Sequence, residues 1–319
     1  MVKNLIICEN LKIPADEGAS KLTVEFIKSL KGETKIVNFG ENLKIGDTKT
    51  ISISYCQIPI IGFIFGRLVS LFYVIKLRPE YIYYFPLCSP KTINQIYASI
   101  LNILTLNFKE IIFQTDNLGS LSKLFSKFKI SVFSKNGVDL LKNQGLQAEY
   151  ISILHIIPQK IYNKEEIRKK YGLAQKDFVA LHIGHAEADR GLDVLSELQT
   201  IMPEIKIVLV LTSRKKIEEN LLNPKIKIID EYLDDIYEIF AVADVYLFPI
   251  KTKNSAIDVP LSIIEAKEMN LPVIASDIGS VKETIEGYQK GYLIKVKGKN
   301  QMAEDIKNIL EKEIINIFK

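Results

Sequence analysis

The 319-residue chain is 47% hydrophobic and 25% charged, enough for two buried cores of roughly 150 residues each. Its formal net charge of +4 suits an anionic ligand or an anionic surface, but is too small to imply nucleic acid by itself. Cys8, Cys56 and Cys88 are scattered, with no C-x-x-C pair, which argues against a disulfide framework and against a zinc site.

The first apolar run, Leu5 to Cys8, ends at Glu9 and is too short for a signal-peptide core, so a cytoplasmic protein is expected. Short β-branched runs read as strands over Leu5–Cys8, Thr34–Asn38, Ile51–Ser54, Tyr81–Phe85, Glu110–Gln114, Ile130–Ser134 and Glu149–Ile153. After a break, further strands are expected over Phe178–Ile183, Lys206–Leu211, Ile226–Asp230, Val245–Phe248, Pro272–Ala275 and Tyr292–Ile294. Helical spacing fits Ser20–Leu30, Lys91–Leu104, Leu118–Phe128, Leu192–Gln199, Leu233–Ala241, Leu261–Met269 and Met302–Leu310.

The longest apolar stretch, Ile58–Leu77, is interrupted by Arg67 and Lys76. A charge at mid-membrane costs about 2.5–3.5 kcal/mol on insertion scales, so an amphipathic or buried helix is expected there. The Gly62-x-x-x-Gly66 spacing is not enough to reverse that reading.

Alternation of strand and helix means an α/β protein with parallel sheets covered on both faces. The rhythm breaks at Pro158–Asn163, and the charged run Lys164–Lys170 that follows reads as a solvated helix face. The domain border is placed there, giving 1–160 and 161–319, with ligands expected in a central cleft that the two domains face.

Two segments carry chemistry. In Gly184-His185-Ala186-Glu187-Ala188-Asp189-Arg190-Gly191, a strand runs through a glycine-bounded loop into a helix. A helix N-terminus presents unpaired N–H groups to an anion, and Arg190 adds a permanent forked cation. His185 is either one more donor or an exposed loop residue. In Asp258-Val259-Pro260-Leu261-Ser262-Ile263-Ile264-Glu265-Ala266, Pro260 and Asp258 suit a helix start. Glu265 falls one turn in, among apolar neighbours, where a carboxylate needs a partner: a ribose diol, or an internal arginine or N–H. Asp234-Asp235 precedes a helix and reads as a capping pair rather than a metal motif. No P-loop or G-x-G-x-x-G is present.

In order, Gly184…Arg190-Gly191-Leu192-Asp193-Val194-Leu195, Ala243-Asp244-Val245-Tyr246-Leu247-Phe248-Pro249 and Pro260-Leu261-Ser262-Ile263-Ile264-Glu265-Ala266 resemble the donor half of family-4 glycosyltransferases. Leu271–Ser276 and Gly279-Ser280…Glu283 continue the likeness, which spans about 178 to 311. Upstream, Arg78-Pro79-Glu80 resembles the family's strand opening, and Gly18 sits where the family has a glycine-rich first loop.

The resemblance implies a GT-B architecture of two Rossmann-like doubly wound domains. It also implies transfer of a hexose-type sugar, with retention, from a nucleotide diphosphate to a glycan or lipid-linked acceptor, without cofactor or metal. Arg190 matches the lysine that grips the donor diphosphate, and His185 stands where an arginine shares that task. Glu265 matches the ribose-binding glutamate, and the N–H groups near Leu261 and Ser262 would meet the distal phosphate.

Three departures stand out. Ile257 occupies the first position of the family's E-x7-E pattern, with Asp258 one residue late. Thr115-Asp116 replaces a His-Asp pair, leaving Asp116 to contact sugar or acceptor. Pro158-Gln159 replaces an Asn-Gly turn. These keep open a second function, a catalytically silent nucleotide-sugar-binding or scaffold subunit. The basic amphipathic pattern of Leu118–Lys129, with Ile58–Leu77, adds an anionic membrane surface to the expected partners, at the inner face of the membrane.

Overall fold

A computed structural model describes residues 2–9, 11, 18–39, 43–45, 48–53, 59–86, 92–105, 108–113, 129–152, 160–185, 187–211, 222–231, 233–252 and 259–315. The chain divides into two compact units, Met1–His155 with Ile257–Val259, and Ile156–Ala256 with Pro260–Lys319.

Unit 1 runs β1 (Asn4–Glu9), α1 (Gly18–Ser29), β2 (Thr34–Phe39), β3 (Lys49–Ile53), α2 (Pro59–Leu77), β4 (Tyr81–Phe85), α3 (Thr92–Thr105), β5 (Phe108–Phe113), β6 (Ile130–Val132), α4 (Lys135–Asn143) and β7 (Ala148–Tyr150). Its strands form one sheet in the order β3-β2-β1-β4-β5-β6-β7, every pair parallel. β1 is buried along its whole length, as a central parallel strand must be.

Helix α2 shows what the interrupted apolar stretch is for. Gly66 lies against β2, where a Cβ would stand 3.4 Å from the Phe39 ring. Arg67 turns into the unit, where it is ion-paired with Glu9 at the end of β1 and bonds Asn94 Oδ1 on α3 at 2.6 Å. Its guanidinium also lies over the Tyr97 and Phe39 rings, at 5.5 and 5.9 Å. Arg67 thus anchors α2 to the unit's own core. Among the described residues, no helix is long and apolar enough to cross a membrane.

Unit 2 runs α5 (Lys164–Lys170), β8 (Val179–Gly184), a 3-10 turn (Ala188–Arg190), α6 (Leu192–Ile201), β9 (Lys206–Leu211), β10 (Lys227–Ile229), α7 (Tyr237–Val242), β11 (Val245–Phe248), α8 (Leu261–Glu268), β12 (Val273–Ser276), α9 (Val281–Ile285), β13 (Gly291–Ile294) and α10 (Lys299–Ile309). The parallel sheet has the order β10-β9-β8-β11-β12-β13. Alternate strand residues enter two different cores: Leu181, Val208 and Tyr246 one, Ala180, Leu209 and Leu247 the other. Both faces are therefore covered, α7 and α8 on one side, α6 and α10 on the other.

Three expectations change. The run Lys164–Lys170 is not wholly solvated, because Ile167 and Arg168 are buried. Arg168 donates to the carbonyls of Ala174 (3.2 Å), Gln175 (2.7 Å), Asp177 (3.0 Å) and Val242 (3.0 Å), and to Asp244 Oδ2 (3.1 Å). Asp244 in turn accepts from Val179 N at 2.8 Å, so one cation ties α5, the start of β8 and the α7–β11 turn together. Helices α4 and α9 form where the apolar spacing alone gave none; Ser134 caps α4 by accepting from Gly137 N at 2.8 Å. Helix α7 begins at Tyr237, four residues later than its pattern, with Asp235 accepting from Tyr237 N at 3.1 Å. The helix expected over Leu118–Phe128 lies outside the described residues.

Removing one side of a buried, multiply bonded pair costs about 3–5 kcal/mol. Arg168→Ala should therefore destabilise unit 2 by about that much in urea unfolding, while the exposed neighbour change Lys169→Ala should stay within about 0.5 kcal/mol. Equal effects of the two substitutions would contradict the assignment.

Candidate functional site in unit 2

β8 is the first strand of unit 2 and lies between β9 and β11, so strand order reverses at its carboxyl end. Ligands of open parallel sheets bind at such switch points. The pairing of β8 with β11 is recorded at Ala180–Val245 and Leu181–Tyr246. One residue on, the His182 side chain itself meets the Leu247 carbonyl through Nδ1 at 2.8 Å.

Beyond Gly184 the chain makes the 3-10 turn and reaches α6 through Gly191, whose φ is 79°. A Cβ on Gly191 would stand 2.0 Å from the Pro249 carbonyl oxygen, so only glycine permits this approach. The segment after β11 is fastened to the same loop. Lys251 N donates to Asp189 O at 2.8 Å, Thr252 Oγ1 to Asp189 Oδ2 at 3.3 Å, and Lys251 is ion-paired with Asp193 in the first turn of α6. Gly191 gives α6 no side-chain cap, and Asp193 Oδ1 takes only the Val194 N–H, at 3.0 Å. Its first N–H groups have no intrahelical acceptor and carry the positive end of the helix dipole.

Arg190 stands at that end. Among the described residues no ion pair or hydrogen bond engages its side chain, and Nε is buried without a partner. Burial pulls its pKa below the usual arginine value, with Glu187, Asp189 and Tyr246 pulling the other way. An arginine remains charged under such a pull, so the site holds a cation that Glu187 and Asp189 influence but that no described carboxylate pairs with.

Tyr246, on β11, links the two segments picked out in the sequence. Its hydroxyl lies 3.5 Å from the Ile183 carbonyl and bonds Ser262 of α8. Burial raises its pKa well above the ordinary value; Ser262 opposes the rise, Glu265 adds to it, and Arg190 lowers it. Ser262 is thus bonded to a buried tyrosine that also feels the charges of Glu265 and Arg190. Glu265 is 2% exposed and sits in α8 beside Ala266, with Leu261 and Ile263 also buried. α8 opens at Pro260 without a side-chain cap, leaving the N–H groups of Leu261 and Ser262 as its first donors.

His185 follows Gly184 in the loop and is half-buried; its carbonyl accepts from Glu187 N at 2.9 Å. Gly18 begins α1 in unit 1. Asp116 and Asp258, like Thr115, Ile257 and Pro158-Gln159, lie outside the described residues. Among those described, no group of three or more His, Cys, Asp or Glu is placed to hold a metal ion. Asp235, the candidate capping residue, accepts from Lys160 at 2.8 Å and from Tyr162 at 3.2 Å.

Three members of this neighbourhood were not singled out in the sequence: Tyr246, Lys251 and His182. His182 is fully buried, with Nε2 unpartnered and 2.9 Å from where a Cβ on Gly184 would be. Burial, helped by Arg190 and opposed by the Leu247 bond, pushes its pKa down to about 4. The folded state therefore holds fewer protons than the unfolded chain between pH 6.5 and 4. Its contribution to stability is complete above pH 6.5 and falls by about 3 kcal/mol as pH drops to 4. Replacing it in His182→Gln should remove that component, so wild type and variant should converge in stability as the solution is acidified. Parallel stability curves from pH 7 to 4 would contradict the assignment.

Residues 163–316 match the family model for glycosyl transferases group 1. Over 182 residues the chain is 25% identical to N-acetyl-alpha-D-glucosaminyl L-malate synthase of Bacillus anthracis, a match covering 54% of this chain and 46% of that protein. Over 146 residues it is 29% identical to TuaC of Bacillus subtilis (strain 168), a glycosyltransferase assigned to teichuronic acid biosynthesis; this match covers 45% of this chain and 36% of TuaC. Each match thus spans less than half the relative's own length. Among solved structures, HepE of Anabaena in complex with UDP-glucose superposes with a TM-score of 0.75 at 15% identity, over 98% of this chain and 90% of HepE. A glycosyltransferase from Rickettsia africae ESF-5 gives a TM-score of 0.73 at 16% identity, with the same coverage. At such identities the likeness speaks for the fold. Through residues 163–316, the C-terminal half of this chain belongs to the glycosyl transferases group 1 family, and the chain has the GT-B fold of two Rossmann-like domains.

Proposed function

We propose that the protein is a glycosyltransferase moving a hexose-type sugar, with retention, from a nucleotide diphosphate to a glycan or lipid-linked acceptor. The observation that carries this reading is the unpaired Arg190 cation beside the uncapped N-terminus of α6. A pyrophosphate supplies what is missing there: two negative charges and several acceptor oxygens.

Arg190 and the α6 N–H groups take the diphosphate, joined by His185, and the Leu261 and Ser262 N–H groups take the distal phosphate. Glu265 accepts from the ribose hydroxyls. Asp258 and Asp116 contact the transferred sugar or the acceptor, and Gly18 lets the backbone of unit 1 approach the donor. The donor half is taken to start near residue 161 and the acceptor half to end near 160.

Protein catalysis is then mostly positioning and stabilisation of charge on the leaving diphosphate, which takes the acceptor's proton. We assign no metal to the reaction, because Arg190 and the two helix N-termini meet the developing charge. The reaction belongs in the cytoplasm, at the inner face of the membrane where the acceptor is lipid-linked. Structural relatives solved with UDP and UDP-glucose make the uridine donors the first to test.

The second reading, a silent nucleotide-sugar binder, is favoured by Ile257 and Thr115. Thermal-shift screening of uridine, guanosine and adenosine diphosphates and their sugars tests the site. A ligand at about 100 times its Kd should stabilise by about 2.7 kcal/mol. Arg190→Ala and Glu265→Ala should each reduce the shift. Stabilisation that neither change affects would remove the site. With an accepted donor, Arg190→Ala should lower kcat by about 10²–10³, the usual cost of one lost charge-stabilising donor. Saturable binding without donor hydrolysis or transfer would favour the silent binder.

A further inference from the structure

Eight of the thirteen large apolar side chains exposed among the described residues lie on two neighbouring helices of unit 1: Phe65, Leu68, Phe72 and Ile75 on α2, and Ile96, Ile100, Ile103 and Leu104 on α3. On each helix they recur at helical spacing, so they form a stripe on the side opposite the core. The inward faces meet at Arg67–Asn94 and Ser70–Tyr97, two contacts with the same separation of 27 residues. The helices therefore run parallel and in step, which sets Phe72 and Ile75 alongside Ile100 and Ile103. Scattered exposed leucines need no explanation, but eight large apolar side chains on one helix pair do.

Charge says what covers them. Neither α2 nor α3 contains an aspartate or glutamate. From residue 48 to 109 the sequence holds six lysines and arginines against a single acidic residue, Glu80. Residues 1–155 hold 18 basic and 12 acidic residues, a net +6, so with +4 for the whole chain the remainder is −2. The Lys76 ammonium lies over the Phe72 ring at 5.7 Å, placing a cation at the rim of the stripe. Arg78 ends α2 with φ 46°, a position that favours glycine or asparagine, and its side chain is exposed. A second copy of this face would set Lys76 and Arg78 against the same two cations, with no acidic residue on either helix to pair with them. An anionic lipid surface offers both apolar depth and the opposite charge.

We propose that the α2–α3 face of unit 1 docks on an anionic membrane, with Phe72, Ile75, Ile100 and Ile103 inserted at the headgroup boundary. This stands on unit 1 alone and is independent of the donor site in unit 2.

The chain has no tryptophan, so Phe72→Trp introduces a single indole reporter. Its emission should shift to the blue with vesicles rich in phosphatidylglycerol, much less with pure phosphatidylcholine, and less again at high salt. In flotation, the double change Phe72→Glu/Ile103→Glu should weaken binding to the anionic vesicles at least about tenfold. Ile161→Glu, at a fully exposed site in unit 2, should leave binding unchanged. Circular dichroism checks that each variant is folded; if the double glutamate is not, the single-indole variant decides. An unshifted indole with anionic vesicles at low salt overturns the proposal. So does vesicle binding that a folded double variant retains, or a solution dimer that the double variant abolishes while vesicles are ignored.

Discussion

A half-buried guanidinium with no bonded partner among the described residues is the feature on which this account rests. Among the described residues two arginines are buried, and each meets a carboxylate and further acceptors. Arg67 has Glu9 and Asn94; Arg168 has Asp244 and four backbone carbonyls. Arg190 bonds neither carboxylate nor carbonyl, and its buried Nε–H is left without an acceptor, which costs free energy. Arg190 differs from both in having no bonded acceptor at all, and an anionic ligand is the physical candidate to supply one.

The surroundings of Arg190 fix the turn that carries it. Gly191 lets the chain pass within contact of the Pro249 carbonyl, and the Lys251–Asp193 pair with the Lys251 N–H bond fixes the post-β11 segment to the same turn. His182 fills the gap where β8 and β11 part, bonded to Leu247 and held neutral by burial. Tyr246 then joins this strand end to α8 through Ser262. Strand order, loop glycine and helix dipole therefore bear on one small volume at the carboxyl end of β8, which is the volume a parallel sheet offers to ligands.

Much of the fold is written in local pattern. Strands such as Tyr81–Phe85, Lys206–Leu211 and Val245–Phe248 are continuous apolar runs because parallel strands are buried on both sides, and their limits follow directly. Helix α4 escaped notice because its start is set by a side-chain cap at Ser134 and only Gly137, Val138 and Leu141 are buried. Arg168 looked solvated because its neighbours are; its burial depends on carbonyls that only the folded 174–177 turn and α7 supply. At the site, Arg190 and Glu265 were legible because each is an ionisable residue at a helix start. Tyr246, His182 and Lys251 were not, since a strand tyrosine, a strand histidine and a loop lysine take their meaning only from what lies across the sheet.

The chain has five arginines, so the side-chain Nε–H signals of an isotopically labelled sample can be resolved one by one, with Arg190 identified by its loss in Arg190→Lys. Titration with UDP-glucose, and with guanosine and adenosine diphosphate sugars in turn, reads the central claim directly. A saturating nucleotide sugar should shift the Arg190 signal strongly while those of Arg67 and Arg168 stay in place, and uridine lacking phosphate should leave all of them unmoved. An Arg190 signal that stays fixed while the protein is saturated with a nucleotide sugar would contradict the account.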